Sequence, residues 1–505
     1  MIKILTVEQI READAQTIAN EPISSSGLME RAASQCFRWL HKRKPRGKTI
    51  QIFCGTGNNG GDGLVIARLL AEKNYACKVY VVRVSDRQTE DFLLNLKRLE
   101  EQGRAEVYEI REGDELPEIH AGDLVVDALF GSGLNKPLTA FPAALVDHIN
   151  NSGAVIIAID IPSGMFADCL PDIKNGSVVR ADYTLSFQFP KLSFFFPESE
   201  NFTGEWEILP IGLDPEFIAG AKTSHFLTEA ADVAALLKVR KRFSHKGNYG
   251  HALLVAGSYG KMGAAVLAAR ACMRSGAGLL TVHVPQAGYQ VMQTAFPEAM
   301  LSVDENDNYF SGLKNTAAYN AIAIGPGLGT AEASARGLKL LIQNSRFPLV
   351  LDADALNLLS ENKTWLSFLP PGSILTPHPR EFERLAGKAQ DSFERKNMQV
   401  DFSKKYNVYV ILKGAFTSIS TPDGKCFFNP NGNPGMASGG SGDVLTGVLL
   451  GLMAQGYTPL GASLAGVFLH GLAGDLAARK MGYEALIASD IIRNLGKAFL
   501  KLQQG

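Results

Sequence analysis

In the first half of the chain, short apolar runs alternate with longer stretches of helical period. "TIQIFCG" (49–55), "CKVYVVRV" (77–84), "DLVVDALFG" (123–131), "AVIIAIDIPSG" (154–164) and "DYTLSFQF" (182–189) read as strands, because they are short and rich in Val, Ile and aromatic residues. "VEQIREADAQTIA" after Thr6, an N-cap residue type, places Val7, Ile10, Ala13 and Ile18 near helical spacing, and "GLMERAASQCFRWL" predicts a second helix. Strands that are apolar on both faces and alternate with helices predict a doubly wound, mostly parallel sheet.

The pattern weakens over 214–245 and resumes after "KVRKRFSHKGNYG" with "HALLVAGS" (251–258), "AIAIGPGLG" (321–329), "PLVLDADALNLL" (348–359), "SILTPHPREF" (373–382) and "VYVILKGAFT" (408–417). In "SISTPDGKCFF" the Pro-Asp-Gly triplet predicts a hairpin turn. Two α/β domains are expected, over 1–218 and 225–505. At 505 residues and 46% apolar the chain can bury more than one core, since single cores stop growing at roughly 250–300 residues.

Fifty basic against 51 acidic residues, with no dense basic block, nominate neither nucleic acid nor a membrane surface as partner. Cys36, Cys54, Cys77, Cys169, Cys272 and Cys426 stand singly, which reads as free thiols in a reducing compartment. The amino terminus turns charged within a dozen residues and no uninterrupted apolar run reaches the roughly 20 residues needed to span a bilayer, so a cytoplasmic protein is expected.

Candidate chemistry gathers where strands end. "GNNGGDG" (57–63) reads as a turn joining a strand to the amphipathic stretch Leu64–Leu70, and "DALFGSGLNKPL" and "IDIPSGM" end two further strands. An open parallel sheet delivers such ends to one crevice. Asn59, Asp127 and Ser163 offer oxygens suited to a hard cation, Gly131 to Pro137 can wrap a phosphate with backbone N–H groups, and Asp160 and Lys136 are acid/base candidates. Taken singly, each motif is equally an ordinary turn or a helix cap.

In the second half, "GNPGMASGGSGDVLTGVLLGLMAQG" runs a glycine turn into Val444, Leu445, Val448, Leu449 and Leu452. A helix N-terminus of this kind suits phosphoryl oxygens, and Asp443 in its first turn can accept a proton from a substrate hydroxyl. The motif lacks the Gly-Lys-Ser/Thr ending of a Walker A loop. "KGAFT" supplies a cation, Lys413, and a hydroxyl, Thr417. His378, held between prolines, is a candidate contact for a substrate ring, whereas "GPGLG" alone is a weak signal.

"TVEQIREADAQTIANEPISSSGLMERAA", "GTGNNGGDGLVIAR" and "IDIPSG" resemble the YjeF amino-terminal family. "HKGNYGHALLVAGS", "AIGPGLG", "LDADALN", "LTPHPREF" and "GNPGMASGGSGDVLTG" resemble its ribokinase-like carboxyl-terminal partner. Together they cover nearly the whole chain and are similar to the bifunctional NAD(P)H-hydrate repair family. The resemblance implies a Rossmann-like domain followed by a ribokinase-like one: an epimerase of R- and S-NAD(P)HX, then a dehydratase that spends ADP or ATP to return S-NAD(P)HX to NAD(P)H. It implies that Asn58, Asn59, Gly60, Gly61, Asp62, Gly131, Ser132, Gly133, Leu134, Asn135, Lys136, Pro137 and Asp160 hold the hydrate, with a potassium ion on Asn59, Asp127 and Ser163. In the second half it implies nucleotide at Lys413, Gly414, Ala415, Phe416, Thr417 and Gly442, accompanied by magnesium, and hydrate near Ala264, Gly327, His378 and Asp443. Ser438 and Ser441 stand where threonine is usual. Partners are then the small molecules NADHX, NADPHX and ADP or ATP, with no nucleic acid and no membrane, in a homo-oligomer. Two other readings stay open: a small-molecule kinase in the second half, and a non-catalytic binding module in the first.

Overall fold

A computed structural model of the chain describes residues 1–43 and 47–504. They form two compact units, Lys3–Thr223 and Met1–Ile2 together with Ser224–Gly505. Strands are numbered along the chain from a two-residue β1 (Ile2–Lys3).

The Lys3–Thr223 unit carries β2 (Ile50–Cys54), β3 (Cys77–Val82), β4 (Glu106–Ile110), β5 (Leu124–Ala128), β6 (Val155–Ile159), β7 (Tyr183–Phe187) and β8 (Glu205–Leu209). They form one sheet in the order β4-β3-β2-β5-β6-β7-β8, with every pairing parallel. The chain winds outward from β2 to β4 and then returns to β5 on β2's other side, so the switch in winding falls between β2 and β5. Ligand crevices open beyond the carboxyl ends of the strands at such a point. β4 and β8 escape a hydropathy reading because edge strands alternate Glu with apolar residues, "EVYEI" and "EWEIL". Thr6 caps the helix Val7–Asn20 through a reciprocal box with Gln9.

"GNNGGDG" departs from the expected turn. Only Gly57 precedes the helix; Asn58 begins it, and the helix Asn58–Glu72 is buried from Asn59 to Ala67 rather than amphipathic. Its glycines answer to packing. A Cβ on Gly60 would fall 1.7 Å from the Gly55 carbonyl oxygen, and one on Gly63 would fall 2.7 Å from both Ala128 Cβ and Cys54 Sγ. The helix therefore lies directly on the ends of β2 and β5, and Asn59 and Asp62 are carried into the crevice.

The other unit holds β9 (His225–Leu227), β10 (His251–Val255), β11 (Leu279–Val284), β12 (Met300–Val303), β13 (Ala321–Ile324), β14 (Leu349–Leu351), β15 (Ile374–Leu375), β16 (Tyr409–Leu412), β17 (Ser418–Ser420) and β18 (Cys426–Phe428). The sheet order is β1-β9-β18-β17-β16-β15-β14-β13-β10-β11-β12. Pairings from β16 through β12 are parallel, and β17–β18 is the hairpin expected at Pro-Asp-Gly. β9 falls inside the stretch where the hydropathy pattern weakens, and pairs with β18. The helices Met262–Arg274, Ser441–Ala454 and Pro459–Met481 contribute to the core. Pro459–Met481 is long and apolar enough by composition to cross a membrane, but most of it is buried inside this unit. Five cysteines are buried and free; Cys169, also free, is exposed.

Gly60→Ala is expected to destabilise the Lys3–Thr223 unit by roughly 3 kcal/mol or more, since a backbone carbonyl stands where the methyl must go. Thermal melting of the variant checks this, and a wild-type melting temperature would contradict the packing.

Candidate active sites

In the first unit the ends of β2, β5, β6 and β7 each deliver a polar group. Asp127, in β5, is fully buried. Its Oδ1 accepts from Ser163 Oγ (2.6 Å) and the Leu129 N–H (3.2 Å), and its Oδ2 from the Ser163 N–H (2.8 Å). Burial outweighs these bonds and pushes its carboxyl up to about 6. The Asn59 amide is buried close by, with its nitrogen unpartnered, and a side chain at Gly131 would begin 3.3 Å from Asn59 Cβ. Ser163 Oγ, bonded to Asp127, lies 3.2 Å from the Phe130 carbonyl, and Gly131, next along the chain, packs on Asn59, which links the three residues expected to act together.

Asp160, directly after β6, adopts a left-handed backbone (φ 66°), an uncommon conformation for a non-glycine residue and one that concentrates at functional sites. Its Oδ2 accepts the Ser132 N–H at 3.2 Å, which ties it to the Gly131–Pro137 loop. Its Oδ1 lies 2.7 Å from Lys191 Nζ, and the lysine side chain is 1% exposed. Lys191 also donates to Ser186 Oγ (3.2 Å) and the Phe189 carbonyl (3.4 Å). Burial alone would raise the Asp160 carboxyl, but the Lys191 ammonium and the Ser132 bonds hold it below the ordinary carboxylate range.

Lys136 was expected to act with Asp160 as the second acid/base group. That side chain is exposed on the loop, and the ammonium paired with Asp160 is instead Lys191, from the loop after β7. Two further carboxyls feel the pair. Asp62 is held well above the ordinary range by burial and by Asp160, Asp14 and Asp91. Asp14, on the helix Val7–Asn20, is pushed up to about 6 by burial and Asp160, against the pull of Lys191. The crevice thus carries one ionised carboxylate among carboxyls biased toward their protonated form. Gly61 and Asp62 are buried there; Asn58, Gly133 and Asn135 are exposed, and Leu134 and Pro137 are half-buried at the loop surface.

In the second unit the ends of β13, β14, β15 and β16 converge. Asp443 stands in the first turn of the helix Ser441–Ala454, whose N-cap is Gly440 (φ 92°) with no side-chain cap. Its carboxyl is pushed up to about 7 by burial, by Asp352 and by Asp354, against Lys413. Lys413 Nζ lies 3.0 Å from Asp352 Oδ1 and 3.9 Å from Glu381 Oε2. A Cβ on Gly442 would sit 3.4 Å from Lys413 Nζ, so Gly442, Asp443 and Lys413 occupy one place. Ser438 Oγ, in the glycine turn, is buried without a partner, and Ser441 lies against His470, whose Nε2 is 3.0 Å from the Ser441 carbonyl.

Gly327 (φ 61°) packs on Ala264: a Cβ there would lie 3.1 Å from that of Ala264 and 2.7 Å from the Lys261 carbonyl, so these two expected residues meet. His378 has a more specific structural duty than display. Its Nδ1 accepts from the Arg380 N–H at 3.1 Å and caps the helix Pro379–Ala386, with Glu381 returning a bond to its N–H at 2.8 Å. Nδ1 is therefore an acceptor, while the ring stays partly exposed. Thr417 closes the Lys413–Thr417 turn through the Gly414 carbonyl at 3.0 Å; Gly414 and Ala415 are exposed there and Phe416 is half-buried. Sequence reading passed over Lys191 and Asp352. Asp352 ends a strand as Asp160 does, and that is the signal that could have found it.

Lys191→Met is expected to lower the stability of the first unit by about 3 kcal/mol at pH 7.5, because Asp160 keeps a buried charge without a partner. Without the ammonium the folded carboxyl titrates above its unfolded value. The deficit then shrinks as pH falls and grows as it rises. Melting curves at pH 5 and 7.5 check this; an equal deficit at both values would contradict it.

Comparison with known proteins follows the division into units. Residues 252–497 match the family described as NAD(P)H-hydrate dehydratase, and residues 25–193 match the family described as YjeF-related protein N-terminus. The bifunctional NAD(P)H-hydrate repair enzyme Nnr of Moorella thermoacetica is 34% identical over 99% of this chain and 97% of its own. That of Coxiella burnetii is 36% identical over 96% and 97%. A solved ADP/ATP-dependent NAD(P)H-hydrate dehydratase from Bacillus subtilis, co-crystallised with ATP and Mg2+, is 32% identical, covers 56% of this chain and 100% of that one, and has a TM-score of 0.49.

Proposed function

The chain belongs to the bifunctional NAD(P)H-hydrate repair enzymes, NAD(P)HX epimerase in its first half and ADP/ATP-dependent dehydratase in its second, and from that premise we propose which side chains carry each reaction. For dehydration the reading rests on one observation: Asp443, with a carboxyl near 7, stands in an open, glycine-built helix turn beside Lys413. Hydroxide is a poor leaving group. The terminal phosphoryl of the nucleotide passes to the hydrate's hydroxyl oxygen as Asp443 takes the hydroxyl proton. Phosphate then leaves with that oxygen, and loss of a proton from the neighbouring carbon restores the ring double bond.

The free N–H groups of the helix turn and the Lys413 ammonium face the phosphoryl oxygens, and Ser438 offers its unpartnered hydroxyl. Among the described residues no group of three or more His, Cys, Asp or Glu side chains is arranged to hold a metal ion. Magnesium is accordingly read as arriving with the nucleotide, on phosphate oxygens and water.

In the first half, Asp160, ionised beside Lys191, takes the proton of the hydrate's hydroxyl; the oxygen forms a carbonyl as that carbon's bond to the ring nitrogen breaks, the nitrogen taking the electron pair and a proton, and reversal of these steps on the other face of the carbonyl gives the opposite configuration. Gly131–Pro137 and Asn58–Asp62 line the hydrate's place. Asn59, Asp127 and Ser163 would hold potassium through the buried Asp127 carboxylate, the Ser163 hydroxyl and the Asn59 amide oxygen, hard donors of the kind such an ion takes. When bound, the ion would supply positive charge that favours ionised Asp127.

Two variants separate the halves. With both hydrate epimers and nucleotide present, Asp160→Asn is expected to restore the S form and leave R behind, whereas Asp443→Asn restores neither but still interconverts them. Recovery of reduced-nicotinamide absorbance and chiral separation of the residual hydrate check this. Wild-type racemisation by Asp160→Asn, or wild-type recovery by Asp443→Asn, would overturn the respective assignment.

A further inference from the structure

Asp352 is the most enclosed charged group in the second unit's site and has no part in the chemistry above. It follows β14 directly and is 1% exposed. Its two oxygens are divided between elements: Oδ1 holds Lys413 Nζ from the end of β16 at 3.0 Å, and Oδ2 accepts Thr446 Oγ1 from the helix Ser441–Ala454 at 2.6 Å. Oδ2 also lies 3.8 Å from where a Gly442 Cβ would be, so the carboxylate abuts the turn that carries Asp443. Ala353, the next residue, is forced to φ 49°, backbone strain that persists only when its surroundings over-determine it.

We propose that Asp352 is a positioning residue of the dehydration reaction, fixing the Lys413 ammonium and the first turn of the Ser441–Ala454 helix in the arrangement that phosphoryl transfer needs. A lysine on a flexible stem would otherwise sample many placements; tethered on one side, it presents its remaining N–H groups to phosphate. Thr446, one turn along from Asp443, locks the helix to the same carboxylate. The inference rests on reading Asp443 as the base and Lys413 as the phosphate contact.

A second consequence is electrostatic. The charged groups that bear on Asp443 are Asp352 and Asp354 from the segment after β14, and Lys413 from the end of β16. Glu381 and His378 act on Lys413 from the Pro379–Ala386 helix, and His470 meets the helix turn at Ser441. Removing the Asp352 charge takes away repulsion at Asp443 and frees Lys413 to pair with it. Both effects lower the pH at which Asp443 loses its proton.

The test uses the full-length protein bearing Asp352→Asn, with Thr446→Val as a milder variant that keeps the carboxylate. For each, kcat and KM of dehydration are measured across pH with ADP and ATP, beside melting curves and nucleotide affinity by calorimetry. Asp352→Asn is expected to lower kcat by about a hundredfold and to move the acid limb of kcat/KM down by about one pH unit. Thr446→Val should lower kcat by about tenfold with the limb in place. A wild-type kcat and limb in Asp352→Asn overturn the proposal. If that variant does not fold, a wild-type kcat in Thr446→Val overturns it instead. Asp443→Asn run alongside separates the two claims: if it still dehydrates, the reading of the base fails; if it is inactive while Asp352→Asn keeps an unshifted limb, only the role of Asp352 fails.

Discussion

Both halves depend on a carboxylate that ends a parallel strand, is removed from water and is answered by a single lysine. In the first unit Asp160 meets Lys191 at 2.7 Å across the ends of neighbouring strands β6 and β7; in the second Asp352 meets Lys413 at 3.0 Å across β15, from the ends of β14 and β16. Taking one charge out of water is costly, and only a close opposite charge with further hydrogen bonds offsets it. Ser132, Ser186 and Phe189 supply those bonds in the first case, and Thr446 in the second. Each pair then sets the state of the acids around it.

The pairs differ in what they leave ionised. Lys191 keeps Asp160 charged while Asp14 and Asp62 are driven toward their protonated forms, giving a base beside potential proton donors. In the second unit Lys413 satisfies Asp352, and Asp443, left with burial and two neighbouring carboxylates, rises to about 7. A base poised near neutral pH suits removal of a proton from an alcohol during phosphoryl transfer. On the proposed assignment, the same strand-end geometry would serve two proton transfers with different acid ranges.

Much of this was legible in the sequence. The apolar runs located the parallel core strands, and the motifs expected at strand ends do follow strands in both units, because a doubly wound sheet leaves few other places for polar residues after apolar runs. Legibility failed where a residue's role depends on partners distant in the chain. Lys191 sits in "FPKLSFF", an apolar stretch in which a lone lysine carries no local signal; only β7 beside β6 brings it to Asp160. Lys136, nearer in sequence to the motifs, faces solvent instead. The glycines of "GNNGGDG" were read as a turn, but Gly60 and Gly63 are required by the Gly55 carbonyl and by Ala128 and Cys54, contacts that no local pattern encodes. Edge strands β4 and β8 were hidden by their exposed glutamates.

The claim that two separately tuned carboxylates run the two reactions is tested most directly by recording both activities of the wild-type chain across pH, on one preparation. Epimerisation, resting on a carboxylate held below the ordinary range by Lys191, should persist at acid pH after dehydration, resting on Asp443, has fallen by half near pH 7. Loss of both activities through one shared acid limb would contradict the account.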